Sequence, residues 1–184
     1  MKRSINKVAV LGSGIMGSRI ACHFANIGVE VLLLDIAPKE LTPEEQAKGL
    51  TLESVAVKNR IVNMALQTAI KSNPSPIYSK SVLNKIKTGN FGDDMPKIKD
   101  FDWVIEVVVE NLDIKKKVFE QVEQFRKPGT LVTSNTSGIP IHLMAEGRSE
   151  DFKDNFCGTH FFNPPRYLKL LEIIPTPHTK QEVV

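Results

Sequence analysis

The sequence predicts an α/β fold: a doubly wound, mainly parallel sheet with helices on both faces and a helical insertion. Three observations carry that prediction. Short β-branched apolar runs alternate with helical stretches, as in successive βαβ units. The runs at 8–11, 29–34 and 104–109 are apolar almost throughout, as strands buried on both faces must be. A Gly-rich turn, Gly12-Ser13-Gly14-Ile15-Met16-Gly17, joins the first strand directly to the first helix.

Residues 5–11 read as strand, 15–26 as a helix stopped by Gly28, and 29–35 as the second strand, which makes one βαβ unit. After Pro38 the chain turns polar and helix-prone over 43–71, with apolar positions at Val55, Ile61, Val62, Ala65, Leu66, Ala69 and Ile70; it reads as one long helix or two shorter ones. Asn73-Pro74-Ser75-Pro76 breaks that pattern, and a Lys-rich stretch leads to Thr88 and Gly89, so 43–89 is read as the helical insertion. Residues 102–109 form a further strand. Residues 113–126 repeat helical spacing through Ile114, Val118, Val122 and Phe125, Pro128-Gly129 turns the chain, and 130–134 are the next strand. A short helix over 140–145 precedes two apolar runs, 155–162 and 168–174, before Pro175, Pro177 and a polar tail.

Composition bounds the function. With 184 residues, 41% hydrophobic and 24% charged, the chain has the balance of an ordinary globular domain, which excludes disorder, collagen and coiled coil. Lys and Arg number 24 against 21 Asp and Glu, a net of +3 with the signs intermixed, so no polycationic surface for nucleic acid is expected. Cys22 and Cys157 sit in apolar surroundings without CxxC spacing, which points away from disulfides and metal and toward a reducing, cytoplasmic compartment. The apolar run after Met1-Lys2-Arg3 is too short for an export signal, and no stretch approaches the roughly 20 residues of a membrane span.

A strand, a GxGxxG turn, a helix, and an acid closing the next strand about 20 residues on make the dinucleotide fingerprint, so a Rossmann-type fold and NAD are expected. Gly12 permits the tight turn, Gly14 lets backbone approach a pyrophosphate, and Gly17 lets helix pack closely on strand. Ile15 and Met16 open the helix, whose N–H donors and positive dipole end attract phosphate. Asp35 would accept hydrogen bonds from the ribose hydroxyls and repel the 2′-phosphate of NADP. The segments 90–94 and 110–111 fall at carboxyl ends of strands, where such a sheet places its ligand. Position alone leaves Glu110 and Lys115 open, as nicotinamide-side contacts or as a helix-start acid and a solvated lysine.

Asn135-Thr136-Ser137 ends a strand beside the expected cleft, where an amide and hydroxyl either position a substrate oxygen or cap a helix before Pro140. Of the histidines, His160 alone ends a strand, within Gly158-Thr159-His160-Phe161-Phe162-Asn163-Pro164-Pro165. Glu172 lies in an apolar run, where a buried carboxylate requires a partner, and a hairpin would bring it to His160. A Glu on one imidazole nitrogen fixes the tautomer and leaves the other to take an alcohol proton while hydride leaves carbon. The other reading of His160 is a satisfied core histidine.

The segments 8–17, 105–117 (IEVVVENLDIKKK), Ser134-Asn135-Thr136-Ser137, 158–164 (GTHFFNP) and 168–174 (LKLLEII) resemble the NAD-binding domain of L-3-hydroxyacyl-CoA dehydrogenases across nearly the whole chain. The resemblance implies NAD-dependent oxidation of an L-3-hydroxyacyl-CoA to the 3-ketoacyl-CoA, as in fatty-acid β-oxidation. It implies His160 as base, Glu172 as its partner, Ser137 on the substrate oxygen and Asn163 on the substrate side. Asn135, Glu110 and Lys115 fall on the cofactor side. The implied partners are an acyl-CoA, a C-terminal helical domain of the same full-length protein that adds a further active-site Asn, and a second copy in a homodimer. This chain, 1–184, is read as the NAD-binding domain alone, with the C-terminal helical domain absent and 175–184 beginning the linker. The long segment 49–89 and Gly138 after Ser137 resemble the subgroup joined to an enoyl-CoA hydratase region.

Lys71, Lys80, Lys85 and Lys87 are either contacts for CoA phosphates or a solvated surface. Two other functions remain. One is a non-catalytic NAD-binding module, in which His160 and Glu172 are not in contact. The other is a related dehydrogenase of another hydroxy substrate, although only Arg166 lies near His160 to clamp a free carboxylate.

Overall fold

The computed structural model describes residues 3–184; Met1 and Lys2, part of the segment read above for an export signal, lie outside them. Its strands are β1 (Lys7–Leu11), β2 (Glu30–Asp35), β3 (Ile86–Asn90), β4 (Trp103–Glu106), β5 (Leu131–Ser134), β6 (Phe156–Phe161) and β7 (Leu171–Pro175). They form one sheet in the order β3-β2-β1-β4-β5-β6-β7, parallel throughout except for β7, which runs antiparallel to β6. The order reverses direction between β1 and β4, and in a doubly wound sheet the crevice opens at that point.

The helices are α1 (Ile15–Asn26), α2 (Pro43–Ala47), α3 (Val55–Lys58), α4 (Arg60–Ile70), α5 (Phe91–Asp94), α6 (Leu112–Phe125), α7 (Ile141–Met144) and α8 (Glu150–Asp154). Alternation along β1 explains the layering. Val8 and Val10 pack with Ile20, Phe24, Val62 and Leu66 of α1 and α4, whereas Ala9 and Leu11 face Val118, Phe119 and Val122 of α6. Both faces are therefore core, and each fully buried Val or Leu contributes roughly 1.5–3 kcal/mol. α1 ends because Gly28 takes φ +88°, a left-handed conformation that costs glycine nothing. α6 starts at Asn111, whose side chain accepts from the Ile114 amide at 3.1 Å.

The structure revises four expectations. Residues 86–90 form β3, the outer strand beside β2, so the helical part of the insertion ends before Ile86. The 43–71 stretch is three helices, α2 to α4, with Thr42 and Glu45 forming a capping box at the first. The strand expected over 102–109 stops at Glu106, because the Val108 amide turns to the Glu106 carboxylate at 2.7 Å. α8 was not anticipated; Ser149 caps it and Phe152 anchors it in the core.

Lys85 lies near Lys7 and Glu30, which begin β1 and β2, and is therefore at the opposite end of the sheet from the Gly-rich turn. It cannot serve a ligand in the cleft, which removes it from the candidates for CoA phosphates.

A Cβ on Gly17 would fall on the Gly12 carbonyl, whereas one on Gly14 would meet nothing within 4 Å. Gly17→Ala is expected to lower stability by about 1–3 kcal/mol. Gly14→Ala should stay within about 0.5 kcal/mol of the parent. Urea-unfolding midpoints check both, and an unshifted Gly17→Ala would refute the packing argument.

Candidate active site

At the carboxyl end of β1 the backbone is crowded. Gly12 takes φ +107°, its amide donates to the Leu34 carbonyl at 2.8 Å, and a Cβ there would come within 2.6 Å of the Val107 carbonyl oxygen. Val107 in turn donates to Leu11 at 2.7 Å, so the segments leaving β1 and β4 are locked side by side. Gly14 begins α1 with no side-chain cap and no acid in the first turn. The orphan N–H groups and positive end of a 12-residue helix thus open onto clear space above Gly14.

Beside the turn lies a cavity of about 430 Å³, bounded by Gly12, Asp35, Phe91, Val108 and Ile114 and mainly apolar. Asp35 sits at its rim, held by three donors: the Ser13 amide at 2.6 Å, the Ser13 hydroxyl at 2.5 Å and the Ile36 amide at 2.7 Å. An anion-attracting turn, an apolar slot and a fixed carboxylate between them match the pyrophosphate, adenine and ribose of a dinucleotide. Phe91 falls in the 90–94 segment expected at the ligand end of the sheet, whereas Val108 and Ile114 were missed by sequence reasoning as cavity residues. Their signal was only that apolar residues follow the strand ends, and core residues give the same signal.

Beneath the cleft lies a buried ion pair. Glu106 and Lys115 are both 0% exposed, and the ammonium sits 2.8 and 3.0 Å from the two carboxylate oxygens. Burial raises the Glu106 carboxyl above its ordinary value, against the pull of Lys115, the Ser134 hydroxyl at 2.5 Å and the Val108 amide. Lys115 also lies 3.4 Å from Glu110. Both sequence readings of Lys115 need correction: it is not solvated, and with no exposed surface it reaches the cleft only through Glu110. Nor is Glu110 a simple helix-start acid. Its Oε1 accepts from the Thr136 hydroxyl, the Ser137 amide at 3.3 Å and the Gly138 amide at 3.2 Å. Partial burial raises its pKa, but these donors and Lys115 outweigh that and hold the carboxyl below its ordinary range.

Asn135 hydrogen-bonds through Oδ1 to the Phe161 amide at 2.9 Å, tying the end of β5 to that of β6. Ser137 is exposed beyond it. Thr136 receives the Ile139 amide at 3.3 Å, so this segment forms a local turn with Ser137 exposed on it.

β6 and β7 form the antiparallel pair that sequence reasoning anticipated, with His160 directly opposite Glu172. His160 Nδ1 lies 2.8 Å from Glu172 Oε2. The expectation of a buried Glu172 is overturned, because its side chain is 51% exposed and every residue of β7 is exposed. The cause is position: β7 is the last strand of the sheet, and its apolar composition resembled a core strand only in isolation. Asn163 accepts from Arg19 of α1 at 2.7 Å. Arg166 is no carboxylate clamp, since it donates to the Ser75 and Ile77 carbonyls and stacks on Tyr78. Cys22 and Cys157 are buried free thiols pushed up to about 11 by burial, unsuited to nucleophilic work. Among the described residues, no helix is long and apolar enough to cross a membrane.

The fold and cleft define an NAD-binding domain of the doubly wound class. The family model for the 3-hydroxyacyl-CoA dehydrogenase NAD-binding domain matches residues 7–184, and the chain belongs to that family. It is 55% identical over 184 residues to a probable 3-hydroxyacyl-CoA dehydrogenase of Bacillus subtilis (strain 168), covering 100% of this chain and 23% of that protein. It is 38% identical over 184 residues to a putative fatty acid oxidation complex trifunctional enzyme of Rickettsia felis, covering 100% of this chain and 24% of that protein. Its fold matches (S)-3-hydroxybutyryl-CoA dehydrogenase from Ralstonia eutropha with a TM-score of 0.69 and 29% identity, over 98% of this chain and 57% of that one. The chain thus spans about a quarter of the length of these two curated relatives.

Replacing Asp35 by Ser removes the charge at the slot rim and frees the two Ser13 donors. The ratio of NADPH to NADH affinity is expected to rise about tenfold or more, read by fluorescence titration. An unchanged ratio would remove Asp35 from cofactor selection.

Proposed function

We propose that this chain is the cofactor-binding, catalytic half of an enzyme that oxidises an L-3-hydroxyacyl-CoA to the 3-ketoacyl-CoA with NAD, in fatty-acid β-oxidation. The observation that carries this reading is the His160–Glu172 contact at 2.8 Å, at the same carboxyl end of the sheet as the Gly-rich turn. The first-turn amides of α1, those of Ile15, Met16 and Gly17, would hold the pyrophosphate, which Gly12 and Gly14 let approach, and Asp35 would take the ribose hydroxyls. Asn135 and Glu110 face the nicotinamide end, with Lys115 supporting Glu110 from below. A bound nicotinamide supplies the hydride acceptor.

The protein's own chemistry concerns the proton. His160 donates its Nδ1 hydrogen to Glu172, which leaves the Nε2 lone pair free to accept the hydroxyl proton of the substrate. Glu172 then stabilises the imidazolium, as the acid of a catalytic triad does. The Ser137 hydroxyl orients the substrate oxygen, and Asn163, held by Arg19, borders the substrate. As hydride leaves carbon and the proton leaves oxygen, the alcohol becomes the ketone.

The same reading includes a C-terminal helical domain of the full-length protein and assembly as a homodimer. Support comes from β7, where Leu171, Ile173 and Ile174 are 39%, 42% and 39% exposed, a surface suited to being covered. The non-catalytic module expects His160 and Glu172 apart, and their contact counts against it.

Titrated with NADH and followed by fluorescence, this chain and the full-length protein should both bind. Addition of acetoacetyl-CoA should then bleach the nicotinamide absorbance with the full-length protein and little or not at all with the chain alone. Binding by both and reaction by neither, with any 3-ketoacyl-CoA, would end the catalytic reading. In the full-length protein, His160→Gln should preserve NADH affinity and lower kcat by about 10²–10⁴-fold. Turnover equal to the parent would remove His160 as the base.

A further inference from the structure

The Glu106–Lys115 pair joins α6 to the end of β4 in a way that fastening alone does not explain. Two charges with no exposed surface are a poor fastener, since an apolar pair of similar volume would hold helix to sheet at least as well. The connections of the pair are more informative. A lysine ammonium has three N–H donors. In Lys115 two of them reach the Glu106 oxygens, and the remaining one is left for Glu110 Oε2 at 3.4 Å. Glu110 is 42% exposed on its side chain, and that ammonium is the contact that draws its Oε2 toward the interior and away from water. Its other oxygen gathers the Thr136 hydroxyl and the Ser137 and Gly138 amides. An unbroken set of contacts therefore runs from the interior of the sheet to the loop that presents Ser137.

We propose that Glu106 is a positioning residue. Its buried carboxylate orients Lys115, Lys115 holds Glu110, and Glu110 sets the 136–138 loop at the substrate oxygen. The kinetic side of this inference rests on the reaction proposed above, whereas the structural side, the order of the loop, does not. Of the remaining partners of Glu106, the Val108 amide can donate to the single oxygen of a Gln, and the Ser134 hydroxyl, which donates to the other carboxylate oxygen, can turn to accept from the Gln NH2. Gln at this position therefore keeps the wall of the cofactor slot while removing the charge that orients Lys115.

The test uses Glu106→Gln paired with Lys115→Met, so that no unpaired charge stays buried, in the full-length protein. The double variant should unfold near the parent temperature. Its kcat for acetoacetyl-CoA reduction should fall by about 10²-fold, the scale expected when a positioning contact slips by about an ångström. Hydrogen exchange at the Ser137 and Gly138 amides, which Glu110 holds directly, should accelerate in the same variant. Parent-like exchange at these amides would overturn the inference whether or not the parent is active. So would parent-like kcat at parent-like stability, which would leave the pair as a fastener only. If the parent itself does not turn over while exchange accelerates as expected, the proposed reaction fails and the positioning of the loop by Glu106 stands. Should the double variant fail to fold, Lys115→Arg provides the second measurement. Arginine keeps the charge but not the three-way geometry, and it should give folded protein with faster exchange at Ser137 and Gly138. Unchanged exchange would again overturn the inference.

Discussion

Backbone pressed against backbone at the ends of β1 and β4 is the constraint from which the rest of the molecule follows. Gly12 can turn there only with φ +107° and no side chain, because the Val107 carbonyl occupies the space a Cβ would need. Gly17 brings α1 down onto the same turn. Once α1 is seated, β2 must return on one side of β1, and β4 lies on the other. That reversal of winding opens the crevice, and Asp35 and Val108, which leave the strands there, line it.

The proposed chemistry end of the cleft rests on a different principle. His160 and Glu172 are joined by strand register, with β7 turning back along β6 so that the two side chains stand opposite each other. The contact is open to solvent on the Glu172 side, so its value lies in orienting the imidazole more than in the strength of an ion pair in a dry interior. Glu106 and Lys115 present the reverse case: full burial, full hydrogen bonding, and no access to the cleft.

Much of this was legible in the amino acids. The apolar runs at β1, β2 and β5, the turn from Gly12 to Gly17, Asp35, and the facing of His160 and Glu172 all follow from patterns confined to a few adjacent residues. β3 escaped notice because Ile86-Lys87-Thr88-Gly89-Asn90 is an outer strand with mixed polarity, which looks like loop until β2 is beside it. Lys115 stands among lysines in an amphipathic helix, so nothing local marks it as the buried one; the carboxylates that explain it come from β4 and from the loop before α6. Glu172 misled in the opposite sense. Its apolar neighbours suggested burial, yet burial depends on what lies across the strand.

The bare start of α1 carries a thermodynamic consequence. Gly14 offers no capping oxygen and no acid follows it, so the chain itself forgoes the few tenths of a kcal/mol by which a capping side chain typically exceeds Gly, and the added stabilisation of an acid in the first turn. A bound diphosphate would meet those amides in the folded state only, which makes the cofactor part of the folding equilibrium. At a free concentration 100 times its dissociation constant, such a ligand adds about 2.7 kcal/mol to stability. The supply of dinucleotide in the cell would then set not only how fast this domain can work but how much of it stays folded.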